Sequence, residues 1–323
     1  MTLTIDTVDL SLPTAAADLE RALRATGFVQ LVGHGVDPDV RTAMIDASAS
    51  FFALDAETKS SFAHPDLAAN RGYRAKGSEA LSYSLGEESP PDLFECFNSA
   101  PEPPVSSPLL KSTPWPDEAI PGYSIAALDY FSAMSTLASR LDEIIGGLIG
   151  APWLRERSGH GPDSIASIRY EPGPDGTEDA VDGQQRMGAH TDYSSFTFLD
   201  ADPVPGLQIV GPDGEWVDVI PEPGALLLNV GDMLAVLTND EWPSTLHRVV
   251  PMNRGGAPVR RSFAFFHYPD LDVEISVLPA FVTADRPARY EPVNVEAHLT
   301  DKLLAPKDKV ASSGTNTTAG RTI

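Results

Sequence analysis

The hydrophobic pattern of the first third of the chain predicts helices around one short strand. Between residues 18 and 25 apolar side chains recur on one helical face, and Gly27 supplies a stop. Residues 28–32 alternate well enough to predict a strand. Asp37 followed by Pro38 predicts the start of a second helix, because aspartate caps and proline fits the first turn.

A longer amphipathic pattern follows a stretch without clear periodicity. Residues 63–121 are rich in Pro, Ser, Gly and acidic side chains, which predicts long loops with few regular elements. A helix is predicted from about residue 124 to 148, with an inward face made of Leu128, Phe131, Leu137, Leu141, Ile144 and Leu148.

From residue 164 onwards the residue pattern becomes typical of β-strands. Short runs rich in β-branched and aromatic residues lie between turn signals, over residues 164–170, 195–199, 207–210, 215–219, 225–230 and 262–268. Gly211 to Gly214 between two of these runs predicts a hairpin. Many short strands at this spacing predict a mainly β fold with flanking helices, a sandwich or jelly roll.

This pattern predicts one structural unit with two regions and a tail. Residues 1–120 form an N-terminal region of helices, strands and long loops, and residues 121–306 form the β-rich core with its preceding long helix. Residues 307–323 are rich in Ser, Thr, Gly and Ala, so we expect them to be disordered.

Composition narrows the classes of protein and partner. The formal net charge of −23 argues against a nucleic-acid binder, which needs clustered Lys and Arg. Cys96 is the only cysteine, so no intrachain disulfide can form. Without a signal-peptide pattern or a long apolar run, we expect a cytoplasmic protein with no membrane association. The oligomeric state is not indicated.

Two histidines and one aspartate are the most specific chemical feature. In an extended strand residues i and i+2 point the same way, so His190 and Asp192 can bind one ion, with Thr191 turned away. His247 has to come from another strand. Such a set suits non-haem Fe(II), because it leaves positions open for oxygen and a co-substrate. The alternative is a core histidine satisfied by the backbone beside a turn aspartate; a four-ligand zinc site is not expected with one cysteine.

Arg260 and Ser262 are a candidate carboxylate site. They also stand at i and i+2, so they share a strand face, while Arg261 points to the other side. A guanidinium pairs with a carboxylate through two charge-assisted hydrogen bonds, and a hydroxyl adds a third.

Many ordered motifs resemble one enzyme family. The chain is similar to the isopenicillin N synthase-like branch of the Fe(II)/2-oxoglutarate-dependent dioxygenases over nearly all of its length to about residue 305. The motifs are GF at 27–28, HGV at 34–36, FFAL at 51–54, RGY at 71–73, DLFECF at 92–97, HTD at 190–192, PGLQ at 205–208, NVGD at 229–232 and STLHRV at 244–249.

The resemblance implies a fold, a reaction and a set of roles. The fold would be a double-stranded β-helix, or jelly roll, with a helical N-terminal region. His190, Asp192 and His247 would bind Fe(II), and Arg260 and Ser262 would hold the distal carboxylate of 2-oxoglutarate. With O₂, the enzyme would oxidise a C–H bond of a small metabolite by hydroxylation, desaturation or cyclisation, releasing succinate and CO₂. A step in secondary metabolism is the expected setting.

One departure from the family pattern leaves the co-substrate open. Plant-type members carry N-x-Y-P where this chain has Arg169, Tyr170, Glu171 and Pro172, so Arg169 and Glu171 replace two co-substrate contacts, and Tyr170 is the remaining candidate. The Arg-x-Ser pair also occurs in relatives that use no 2-oxoglutarate. An Fe(II) oxidase of the same fold is therefore the alternative enzyme, and a non-catalytic binding protein is an alternative of another class.

Two aromatic residues are candidates for the substrate cavity. Phe266 and Tyr268 share a strand face with Ser262 by position, so we expect them to line it.

Overall fold

A computed structural model describes residues 5–66, 69–86, 89–103, 107, 109–172, 180–252 and 258–302. The predicted disorder of residues 307–323 lies outside the described residues.

Five helices are labelled in chain order. Gly27 ends α1 in the left-handed conformation (φ 66°), which glycine adopts at little cost, and the Asp37 side chain caps α2 by accepting from the Asp39 amide. Both boundaries confirm the sequence prediction. A further helix covers residues 295–302, and 3₁₀ turns cover Leu81–Leu85, Pro152–Arg155 and Pro279–Phe281. The helices are α1 (Ala15–Thr26), α2 (Pro38–Phe52), α3 (Ala56–Ser61), α4 (Tyr123–Ile149) and α5 (Asp232–Leu237).

The strands follow the alternating runs of the sequence closely. The hairpin predicted at Gly211–Gly214 is confirmed, because β8 pairs antiparallel with β9 across it. The strands are β1 (Thr7–Asp9), β2 (Phe28–Val32), β3 (Gly72–Arg74), β4 (Glu95–Ser99), β5 (Ser164–Tyr170), β6 (Met187–His190), β7 (Phe196–Ala201), β8 (Leu207–Val210), β9 (Trp216–Asp218), β10 (Leu226–Val230), β11 (His247–Val249), β12 (Arg260–His267), β13 (Glu274–Ile275) and β14 (Val293–Asn294).

Two sheets enclose the interior where the site lies. The larger has the order β1-β2-β10-β7-β12-β5-β4-β3, and the smaller has the order β6-β11-β8-β9. Buried apolar side chains from both sheets, such as Ile168, Leu227, Ile209 and Val249, pack into one cluster between them. The other face of the large sheet packs against the helices in a second, larger cluster. This arrangement confirms the predicted jelly roll with flanking helices.

Residues 63–121, predicted as long loops with few regular elements, contain two strands that the sequence analysis did not name. β3 and β4 lie at one end of the large sheet, and all five residues of β4 are buried. Its sequence, ECFNS, does not show the alternation of a strand, because two of its five residues are polar and a third is charged. Glu95 is tolerated there because Lys59 donates to it at 2.7 Å and the Tyr73 hydroxyl at 2.7 Å.

The inward face of α4 is also partly different from the prediction. Leu128 is exposed, and Ile144 and Leu148 are only half-buried. The buried face instead includes residues that the prediction did not name. They include Tyr123, Ala127, Tyr130, Met134 and Ile145.

Strands from both sides of residue 120 share the large sheet. The division of the chain at that residue remains a prediction. Among the described residues, no helix combines the length and the apolar character needed to cross a membrane.

Candidate active site

The two histidines meet because their strands are neighbours. β11 pairs antiparallel with β6, and His247 is the register partner of His190. Their ring centroids are 4.3 Å apart. Oδ1 of Asp192 lies 3.9 Å from Nε2 of His190 and 3.8 Å from Nε2 of His247. One ligand atom from each residue lies within 4.8 Å of the others, so the three could hold one metal ion.

Asp192 reaches this position from outside the strand. β6 ends at His190, so the prediction that both ligands share a strand face was wrong in its local geometry. The carbonyl of Asp192 accepts from the Asp232 amide at 2.7 Å, which ties this segment to the start of α5. The segment after β6 thus brings the carboxylate within 4 Å of both imidazoles.

Backbone carbonyls fix how the imidazoles face the centre. Nδ1 of His190 lies 2.8 Å from the Gly188 carbonyl, and Nδ1 of His247 lies 3.1 Å from the Thr245 carbonyl. Because a carbonyl oxygen only accepts, each Nδ1 carries the hydrogen and each Nε2 keeps its lone pair for a metal.

The carboxylate is oriented by Asn229 of β10. Its side-chain amide donates to Oδ2 of Asp192 at 2.7 Å, which leaves Oδ1 for the side of the histidines. The family resemblance covers Asn229, but sequence reasoning gave it no role. A polar residue within the apolar run LLLNV was the available signal.

Electrostatics favours the protonation states that bind metal. Burial opposes ionisation of Asp192, but His247, His190 and the hydrogen bond from Asn229 together hold its pKa below the ordinary value. Burial and the neighbouring His247 lower the pKa of His190 to about 4. A carboxylate and a neutral imidazole are therefore present at neutral pH, and this donor set fits Fe(II).

Arg260 and Ser262 share the interior face of β12, as predicted. Both are about 1% exposed, and Nη1 of Arg260 lies 3.4 Å from the Ser262 hydroxyl. Nε and Nη2 of Arg260 have no hydrogen-bond partner among the described residues. Burial lowers the pKa of this guanidinium, and leaving such a charge without an anion is costly. The unpartnered N–H groups fit a carboxylate from a bound molecule.

Tyr170 contacts both Arg260 and β6, the strand that carries His190. It is the register partner of Arg260 across β5 and β12, and its ring centroid lies 5.2 Å from the guanidinium carbon. Its hydroxyl lies 3.6 Å from Sδ of Met187, the first residue of β6.

The residues that depart from the family pattern lie on the other face of β5. Arg169 donates to Glu171 at 2.6 Å and to the Phe52 carbonyl at 2.8 Å, and it also contacts Glu95. These partners lie on the helix side of the large sheet. Arg169 therefore faces away from Arg260, and Tyr170 faces Arg260 on the opposite side of β5.

Sequence reasoning missed two further charged residues near this centre. Arg186 is fully buried, with its guanidinium carbon 5.9 Å from the Tyr170 ring centroid. Asp92 accepts from the Leu81 amide at 2.9 Å and from the Gly188 amide at 3.0 Å, so it joins the 3₁₀ turn at Leu81–Leu85 to the strand bearing His190. No periodicity marks either residue, because both lie outside regular elements that the pattern could show.

The two aromatic candidates differ in position. Phe266 is half-buried and contacts both hydrophobic clusters. Tyr268 is buried and lies just beyond the end of β12. Their contact with a substrate remains a prediction.

Two family models match separate parts of the chain. Residues 162–269 match the 2OG-Fe(II) oxygenase superfamily, and residues 5–118 match the N-terminal region described as non-haem dioxygenase in morphine synthesis. The first match contains all three candidate metal ligands and the Arg-x-Ser pair.

Curated relatives match most of the chain. The 2-oxoglutarate-Fe(II) type oxidoreductase hxnY of Emericella nidulans is 30% identical over 281 residues, covering 84% of this chain and 78% of that protein. Validamycin A dioxygenase of Streptomyces hygroscopicus subsp. limoneus is 28% identical over 294 residues, covering 88% of this chain and 80% of that protein.

A solved structure shares the fold. Full-length Neurospora crassa T7H, in complex with alpha-KG and thymine, superposes with a TM-score of 0.80 at 28% identity, covering 94% of this chain and 97% of that one. The matching sequences, the shared fold and the chemistry of the three candidate ligands all indicate the same family. The chain therefore belongs to the 2OG-Fe(II) oxygenase superfamily and is a dioxygenase that uses Fe(II) and 2-oxoglutarate.

Proposed function

We propose that His190, Asp192 and His247 hold the iron, and that Arg260 and Ser262 hold the distal carboxylate of 2-oxoglutarate. Tyr170 packs its ring against the Arg260 guanidinium and completes this end of the site. The observation that carries the proposal is the convergence of the three ligand atoms within 4.8 Å of one another in a buried centre.

Each of these side chains has a physical task. When bound, Fe(II) and 2-oxoglutarate supply the activation of O₂ that allows an unactivated C–H bond to be oxidised, with succinate and CO₂ as co-products. The three protein ligands leave coordination positions open for this chemistry. Arg260 fixes the co-substrate with charge-assisted hydrogen bonds, and Asn229 keeps Asp192 turned toward the histidines. The apolar cluster around them excludes water from the interior.

The substrate is proposed to be a small metabolite, and the reaction a hydroxylation, desaturation or cyclisation. T7H was solved with thymine, and another relative is named for validamycin A, both small molecules. Phe266 and Tyr268 are proposed to line its cavity, because they lie at the metal end of β12.

Co-product stoichiometry tests the proposed reaction. We expect substrate-dependent oxidation to release one succinate for each molecule of product, and replacement of His190 by alanine to abolish both. Product without succinate would support the alternative, an oxidase of the same fold that uses O₂ without 2-oxoglutarate.

A further inference from the structure

The start of helix α5 is bound to the chain segment that contains Asp192. The first amides of a helix have no partner within the helix, and here carbonyls of residues 192–195 accept from them. The three donors and their acceptors are Gly231 to Ser195 at 2.8 Å, Asp232 to Asp192 at 2.7 Å and Met233 to Ser194 at 3.1 Å. A Cβ atom on Gly231 would lie 2.1 Å from the Ser194 carbonyl oxygen, so a side chain there would push the two segments apart.

The side chain of Asp232 reaches the segment that carries the second histidine. Its Oδ1 accepts from the Ser244 hydroxyl at 2.7 Å. Ser244 lies three residues before His247. Asp232 therefore contacts one ligand segment through its backbone amide and the other through its carboxylate.

The residue after Ser244 orients the imidazole of His247. The Thr245 carbonyl lies 3.1 Å from Nδ1 of His247, and the Thr245 hydroxyl donates to the Thr26 carbonyl at 2.7 Å. The hydrogen bond between Ser244 and Asp232 thus fixes the backbone immediately before the carbonyl that sets the tautomer of His247.

The carboxylate of Asp232 does not cap its own helix. An acidic side chain in the first turn usually accepts from the free amides of that turn, but the amides of residues 231–233 already donate to the segment at 192–195. Gly231, at the N-cap position, makes no side-chain hydrogen bond. In the described part of the chain, the hydrogen-bond partner of the Asp232 carboxylate is Ser244, which lies outside α5.

The electrostatic surroundings of this carboxylate include both ligand segments. Burial raises the pKa of the Asp232 carboxyl. The Ser244 hydroxyl, the charge of Lys302 and the Thr191 side chain lower this pKa. Thr191 precedes Asp192 directly, so side chains from the two ligand segments approach the same carboxylate.

We propose that Asp232 positions the metal ligands. By accepting the hydrogen bond from Ser244, its carboxylate holds the segment that carries His247 at the distance from Asp192 that one metal ion requires. Asp232 is not one of the candidate ligands, so it acts through the two segments that carry them. The proposal rests on the iron site proposed above.

The affinity of the metal-free protein for Fe(II) gives the first test. Asp232→Ala removes the acceptor of Ser244 and keeps the backbone amide that binds the Asp192 carbonyl. We expect the affinity for Fe(II) to fall about 10- to 100-fold, measured by anaerobic competition with a coloured chelator in the absence of 2-oxoglutarate.

The conservative variant separates the hydrogen bond from the charge. Asp232→Asn keeps a side-chain oxygen that can accept from Ser244, so it should restore most of the affinity that Asp232→Ala loses. An equal loss in both variants would show that the negative charge of Asp232 attracts the cation, and it would overturn the positioning role.

Asp55→Ala is the matched control. Asp55 stands at the start of another six-residue helix, α3, and accepts from the Thr58 amide and hydroxyl, both at 2.8 Å. We expect the Tm to fall in this variant because a helix cap is lost, while the affinity for Fe(II) stays unchanged. A loss of affinity as large as that in Asp232→Ala would assign both effects to general destabilisation and reject the proposal.

Ser244→Ala tests the same hydrogen bond with a smaller change, and it decides the matter if Asp232→Ala does not fold. We expect it to lower the affinity for Fe(II) about tenfold. In the Asp232→Ala background it should cause no further loss, because the two side chains form one hydrogen bond. Unchanged affinity in Ser244→Ala, or additive losses in the double variant, would contradict the proposal.

The outcomes also separate this proposal from the function on which it rests. If the wild type binds one Fe(II) per chain and the variants at Asp232 and Ser244 bind it equally well, the positioning role is overturned and the iron site stands. If the wild type binds no Fe(II), the proposed iron site itself fails.

Discussion

Each imidazole of the proposed metal centre is held by the carbonyl of a residue two positions earlier in its own chain segment. Gly188 serves His190, and Thr245 serves His247. This local arrangement sets the tautomer before any metal arrives, so the donor atoms are preorganised by backbone that a sequence motif alone does not show.

Asn229 tests whether the carboxylate needs the same preorganisation. Its amide is the hydrogen-bond partner of Oδ2 of Asp192, so Asn229→Ala should let the carboxylate rotate away from the histidines. We expect affinity for Fe(II) to fall about 10- to 100-fold, measured by anaerobic metal titration, with the fold intact by circular dichroism. Unchanged metal affinity would assign the amide to packing instead.

A second prediction at the residue scale concerns Arg260 and the binding of 2-oxoglutarate. Arg260→Leu removes the buried guanidinium whose Nε and Nη2 have no partner in the described chain, and should raise the KM for 2-oxoglutarate about 100-fold or more. Arg261→Leu is the matched control, because Arg261 is bound to Asp202 instead. Metal affinity should not change in either variant. An unchanged KM for 2-oxoglutarate in Arg260→Leu would show that Arg260 does not hold the co-substrate.

At the scale of elements, the strand that carries His190 depends on a close contact with the 3₁₀ turn at Leu81–Leu85. A Cβ atom on Gly188 would lie 2.4 Å from the Ser82 hydroxyl and 2.9 Å from the Ser82 amide nitrogen. Only glycine allows these two segments to approach so closely.

Gly188→Ala should therefore displace the turn or the strand. Because the Gly188 carbonyl orients His190, we expect a fall in Fe(II) affinity of at least about tenfold, together with a stability loss of about 1–3 kcal/mol. Gly147→Ala in α4 is the control, since no atom lies within 4 Å of the added carbon. Equal behaviour of the two variants in urea unfolding and metal titration would show that the contact is dispensable.

His267 joins α4 to the end of β12 and predicts a pH dependence of stability. Burial alone would lower its pKa, but the charges of Asp163 and Asp142 raise it to about 10 from the ordinary 6.5. Its stabilisation is then complete below about pH 6.5 and is lost as the pH rises through 10.

Urea unfolding between pH 6.5 and 9.5 measures this dependence. The free energy of unfolding should fall as the pH rises, by at most about 1.4 kcal/mol per pH unit from this one proton. Asp163→Asn weakens the interaction with His267 while leaving an acceptor for the Tyr268 amide, so its slope should be smaller. Equal slopes in the two proteins would contradict the linkage.

Helices and strands were predicted well where residues within a few positions determine them. They were predicted poorly where contacts with distant segments determine them. Gly27 and the Asp37 cap ended and began helices as predicted, because their signals act within a few residues. The strand at Glu95–Ser99 was missed because its charge is neutralised by Lys59 from α3. Asp192 was predicted to lie on the same strand as His190, but it lies two residues beyond the end of β6, since i and i+2 spacing does not show where a strand ends.

At the scale of the whole molecule, the two sheets divide the apolar residues into an interior cluster and a cluster under the helices. The candidate ligands and Arg260 border the interior cluster, so a protein with a net charge of −23 keeps a buried cationic side chain inside its β-core, where we propose that the anionic co-substrate binds. Motif order indicated the three candidate metal ligands, and the structure brings them together. A cavity between α4, residues 158–163 and the end of β12 could not be predicted, because these segments are distant from one another in the sequence.

The central claim is that His190, Asp192 and His247 hold one Fe(II) to which 2-oxoglutarate also binds. Anaerobic titration with Fe(II) in the presence of 2-oxoglutarate, followed by the visible charge-transfer absorption of the complex, tests it most directly. We expect the band to saturate at one iron per chain in the wild type and to be absent from Asp192→Ala and His247→Ala. A band of undiminished intensity and affinity in either variant would contradict the claim.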